Sequence, residues 1–65
     1  HQMNDIKRGD RIWVKHGSVP EGALGNGAVV LLGGLSDTKG TFHKVMFNAG
    51  EQGIIISSIP ASEIV

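Results

Sequence analysis

The sequence predicts an all-β domain, a small barrel of about five short strands. Ten glycines divide the 65 residues into pieces too short for ordinary helices. Short β-branched and apolar runs lie between the glycines. The chain also has no cysteine, so its core cannot rest on disulfides, iron–sulfur clusters or thiolate zinc sites.

Residues 1–5 are polar and are expected to fray. Lys7-Arg8-Gly9-Asp10 reads as a turn into a first strand, Arg11 to Lys15. Alternation there puts Ile12 and Val14 on one side and Arg11, Trp13 and Lys15 on the other. His16 to Gly27 is glycine-rich, contains Pro20 and reads as a long loop. Ala28 to Leu32 is the second strand. Gly33 to Gly40 is expected to be a turn or hairpin loop. Thr41 to Phe47 is the third strand, and which of its faces points inward is open. Asn48-Ala49-Gly50-Glu51 is a tight turn, with Asn48 and Gly50 as the candidates for positive φ. Gln52 to Ser57 is the fourth strand. Ile59 to Glu63 reads as one 3₁₀ turn started by Pro60. Ile64-Val65 is a stub of a fifth strand, and the whole chain 1–65 is one domain.

Two strands carry more apolar surface than one small barrel hides. Ala28-Val29-Val30-Leu31-Leu32 is apolar on both faces, and so is Ile54-Ile55-Ile56. No register change helps, because neither run has a polar set to turn outward. Copies of the chain are therefore expected to cover one another as a dimer or tetramer. The interface candidates are Val29, Leu31, Ile54 and Ile56, or Val30, Leu32 and Ile55 in the other register. Covering about 600 Å² per subunit would contribute on the order of 15 kcal/mol before association entropy. That is comparable to the stability of an ordinary domain.

The candidate ligand-facing surface is Trp13 flanked by Arg11 and Lys15. An aromatic between two cations can stack a planar ligand and meet a phosphate or carboxylate. Six basic residues balance six acidic ones, so a strong general affinity for nucleic acid or anionic membrane is not expected. His1, His16 and His43 lack metal-ligand spacing, and neither a metal nor a cofactor is expected. His43 reads as a structural, hydrogen-bonding histidine. The glycines from Gly22 to Gly27 lack the following helix and lysine of a phosphate loop. No serine has a neighbouring base, and the carboxylates are dispersed. The longest apolar run, Ala28 to Leu32, is too short to span a bilayer. The N-terminus has no secretory apolar stretch, and a cytoplasmic protein is expected.

The order of strand, long loop, three strands, 3₁₀ turn and final stub resembles the SH3-like small barrel over nearly the whole chain. Gly9-Asp10-Arg11-Ile12-Trp13-Val14-Lys15, followed by Gly27-Ala28-Val29-Val30, resembles a KOW-type segment. That resemblance implies RNA, ribosomal protein or RNA polymerase partners. The Gly-Asp-Arg opening, with Gly53 to Glu63, is similar to the plasmid- and integron-borne type II dihydrofolate reductases. Those are short barrels that assemble as tetramers around a shared pore. Their Val-Gln-Ile-Tyr pore segment falls on Ile54-Ile55-Ile56-Ser57, and their basic pore residue falls near Lys15. Only Ile56 keeps its type; Ile55 and Ser57 cannot hydrogen-bond a pterin or nicotinamide as glutamine and tyrosine do. Gly-Asp-x-Ile-Trp-Val is also similar to the opening of type II toxin endoribonucleases. Their later catalytic positions have no counterpart here. The reading that follows is a non-enzymatic homo-oligomeric binding or scaffold module. A divergent reductase with a symmetric pore is the alternative, and a nucleic-acid-binding barrel the second.

Overall fold

The computed structural model describes residues 6–65, and the expectation for residues 1–5 lies outside them. Four antiparallel strands form one curled sheet in the order β1-β2-β3-β4. They are β1 (Arg11–Trp13), β2 (Gly27–Asp37), β3 (Gly40–Asn48) and β4 (Ile54–Pro60). Short 3₁₀ turns at His16–Ser18, Gly50–Gln52 and Ala61–Glu63 join or follow them. The fold is the small all-β class that the glycine spacing predicts, with four strands rather than five. The fifth shrinks to one bridge, Val14 to Ile64. Two further hydrogen bonds hold it: Lys15 N–H to Glu63 O at 2.8 Å and Val65 N–H to Trp13 O at 2.9 Å.

Alternation builds the core. Ile12 and Val14, Ala28 and Val30, Val45 and Phe47, Ile59 and Ile64 point inward and are buried, with Ile6 against them. Val19, Ala23 and Ile55 pack on their periphery. Residues 43, 45 and 47 are the inward set of β3, which settles the face left open by its sequence. The Lys7–Asp10 turn forms as expected. Asp10 N–H donates to Lys7 O, and the Asp10 carboxylate accepts from Lys7 N–H at 2.9 Å.

Strand boundaries differ from the sequence reading: β3 gains one residue at each end and β2 one at its start, and the larger changes lie in β1, β2 and β4. β1 stops at Trp13 rather than Lys15; Val14 N–H still donates to Asn26 O at 3.0 Å, and Val14 bridges to Ile64. β2 runs to Asp37, through the Gly33-Gly34 segment expected to be loop. A register break between Val30 and Leu32 takes up Leu31, and a second between Leu32 and Leu35 absorbs the two glycines; bulges are where a strand tolerates glycine. The hairpin turn is then only Thr38-Lys39, between the pair Asp37 and Gly40. β4 begins at Ile54 rather than Gln52 and runs to Pro60, because residues 50–52 form a 3₁₀ turn. Gly50 takes positive φ in that turn, whereas Asn48 does not. Asn48 contributes its Oδ1, which accepts from Gly50 N–H at 2.8 Å.

The phase of the β3–β4 ladder follows from one bond. Asn48 faces Ile54 while Ala49 N–H donates to Gly53 O at 2.8 Å. In an antiparallel ladder this makes Asn48/Ile54 a non-hydrogen-bonded pair. Ile55, Ser57 and Ile59 therefore bond to β3. The backbone groups of Ile54, Ile56 and Ser58 point away from it. Pro60, which has no N–H, falls on the same outward phase, where proline is tolerated.

Candidate functional site

The outer face of the sheet gathers most of the residues singled out by sequence. Register aligns Arg11, Val29, Met46 and Ile56 in one row across all four strands. A second row holds Trp13 opposite Gly27, and Ile54 opposite Asn48. A third places Leu32 and Ser58 on either side of Lys44. Four large apolar side chains are about half exposed here: Trp13 (49%), Leu32 (50%), Ile54 (57%) and Ile56 (55%). Val29, Leu31 and Met46 are half-buried. Arg11 and Lys44 supply positive charge within this apolar face.

The two interface registers separate in the structure for all members but one. Val29, Leu31, Ile54 and Ile56 are at least partly exposed. Val30 is fully buried and Ile55 packs on the core, so these two residues are core and not outer surface. Leu32 is the exception in its register. The break after Val30 turns it outward, opposite Lys44. Sequence reasoning could not see this, because strict alternation from Val30 sends Leu32 inward. Met46 also escaped it, since nothing in residues 41–47 marks the outward set.

Gly27 shapes the ligand-facing candidate. A Cβ at Gly27 would lie 3.5 Å from Trp13 Nε1 and 3.8 Å from an Arg11 guanidinium nitrogen. The indole and the guanidinium therefore converge over the bare backbone of β2. Lys15 is exposed beyond the end of β1, and its backbone N–H is held by Glu63 O. The structure thus brings Trp13 and Arg11 together and leaves Lys15 at the margin of the pair. An indole beside a guanidinium can stack a planar group on its ring face and meet an anionic one with the guanidinium N–H donors.

His43 lies on the opposite, inner face and is 2% exposed. Its Nδ1 accepts from Gly34 N–H at 2.9 Å. Its Nε2 is buried with no hydrogen-bond partner among the described residues. Burial holds the imidazole below its ordinary pKa, and this favours the neutral ring that an accepting Nδ1 requires. His43 is structural, pinning the bulged part of β2 to β3.

A further depression, of about 270 Å³, lies at the β2–β3 hairpin. It is lined by Asp37, Lys39, Phe42, Ser58 and Pro60, among others. Nothing in the sequence marks it, because residues 33–40 read as a loop and no lining could be assigned to them. Among the described residues, no three His, Cys, Asp or Glu side chains cluster as a metal site. Nor, among them, is any helix long and apolar enough to cross a membrane. No family model, curated protein or solved structure matches this chain.

Proposed function

We propose that the chain is a homo-oligomeric binding or scaffold module on an SH3-like small barrel, with Trp13 and Arg11 as its ligand-facing pair. The observation that carries this is the half-exposed apolar set Trp13, Leu32, Ile54 and Ile56 on one sheet face. Completing the burial of each such side chain is worth about 1 kcal/mol. Small soluble domains seldom leave an apolar face of this kind without a partner. A second copy suits it because the chain carries no net charge, so copies do not repel as wholes.

Light scattering across a concentration series tests the reading. A dimer or tetramer is expected. Ile56→Asp is expected to remain folded, since Ile56 is exposed in the single chain, and to shift the mass toward monomer. A monomeric parent at high concentration overturns the proposal. Turnover of NADPH with dihydrofolate would replace it with the reductase reading. Salt-sensitive retardation of a nucleic-acid probe would replace it with the nucleic-acid one.

A further inference from the structure

β4 ends the sheet, and among the described residues its outer edge lacks the usual guards. Edges are blunted by charge, bulges, early proline or a covering segment. No charged residue occurs between Glu51 and Glu63. The pairing of β4 with β3 runs unbroken from Ile54 to Pro60, so no bulge twists the edge away. Proline comes only as the last residue of the strand. The outward N–H and C=O groups of Ile54, Ile56 and Ser58 have no backbone partner among the described residues. Gly53 closes this stretch on one side, its C=O taken by Ala49 N–H. Pro60 closes it on the other, having no N–H.

The geometry points to antiparallel pairing of this edge with β4 of a second copy, about a two-fold axis at Ile56. The inference rests on the self-association proposed above and names the contact that makes it. With the axis at Ile56, Ile56 meets Ile56 of the second copy and Ile54 meets its Ser58. Every outward donor and acceptor then finds a partner, closing roughly six hydrogen bonds. Moving the axis to Ser57 sets Ile54 against Pro60, which cannot donate, and moving it to Ile55 sets Ser58 against Gln52, whose N–H is already taken by Ala49 O. Both edges are neutral, so their approach brings no like charges together. The outer faces of the two copies become one continuous surface, with Ile56 side by side at its centre.

Because the chain has no cysteine, single thiols can test the register. Directly opposed residues of a hydrogen-bonded pair sit about 5.5 Å apart at Cα, within disulfide range. Under mild oxidation Ile56→Cys is expected to form a disulfide dimer far more readily than Ile54→Cys. Ile54→Cys is expected to form little, because its counterpart lies about 13 Å along the strand. Ser58→Pro removes one outward N–H and no bond to β3, and is expected to weaken the dimer at least tenfold. If that variant does not fold, the cysteine pair decides alone. Equal cross-linking at positions 54 and 56, with the parent still oligomeric, overturns edge pairing and leaves association through the outer face. A monomeric parent overturns both.

Discussion

His43 links β3 to the bulged part of β2 through a single accepted hydrogen bond, and its protonation has a definite thermodynamic sign. Its folded-state pKa lies below that of the unfolded chain, whose imidazole titrates near 6.5. The unfolded state therefore binds the proton more readily. Stability from this residue is fully present above about pH 6.5 and falls as pH drops toward the folded value. The urea midpoint is expected to be lower at pH 5.5 than at pH 7.5. His43→Asn, whose side-chain oxygen can accept from Gly34 N–H, is expected to shrink that difference. An unchanged difference in the variant would assign the acid sensitivity elsewhere. Gly33 beside it has no room to grow: a Cβ there would lie 2.6 Å from Ile6 O. Gly33→Ala is expected to cost about 1–3 kcal/mol in chemical denaturation, as overpacking against backbone does. The sequence marks His43 as structural but does not show what it holds. Its partner, Gly34, sits in a stretch that reads as loop.

At the scale of elements, glycine carries two meanings that sequence alone does not separate. At Gly40 it does punctuate a turn. The Thr38-Lys39 hairpin needs φ of +123° there, and the Asp37 carboxylate supports the turn by accepting from Lys39 N–H at 2.8 Å. At Gly33 and Gly34 it interrupts nothing; the strand bulges and continues. Reading Ala28 to Leu32 as a strand is thus right in kind but five residues short at its C-terminal end. The outward turn of Leu32 is hidden for the same reason. Gly40→Ala separates backbone strain from packing, because nothing lies within 4 Å of the added Cβ. A loss of about 1–2 kcal/mol is expected from the forced positive φ. Gly17→Ala, which also has open space around the Cβ but no positive φ, is expected to be nearly neutral. Equal losses in the two variants, measured by thermal denaturation, would contradict the role given to Gly40.

For the molecule as a whole, the decisive quantity is how much apolar surface one sheet can enclose. The double-sided apolar character of residues 28–32 and 54–56 is legible in the sequence, and so is the need for closure by the last residues. Which members face inward is not, because period-two alternation fixes pairs of faces and only tertiary packing chooses between them. Val30 and Ile55 go to the core, and Ile54 and Ile56 go outward. Asp at Val30 is therefore a test of folding, whereas Asp at Ile56 is a test of assembly. A chain of this length has about 3–10 kcal/mol of stability available. Val30→Asp, which buries an unpaired charge, is expected to leave it unfolded at every concentration. The parent responds differently if copies shelter one another. Unfolding is then coupled to dissociation, and mass action raises the melting temperature with protein concentration. A hundredfold concentration series read by circular dichroism is expected to show that rise in the parent and to lose it in Ile56→Asp. A melting temperature fixed across the series would mean that the sheet, its Val14–Ile64 bridge and its small core are sufficient on their own. The exposed isoleucines would then need a partner other than a second copy.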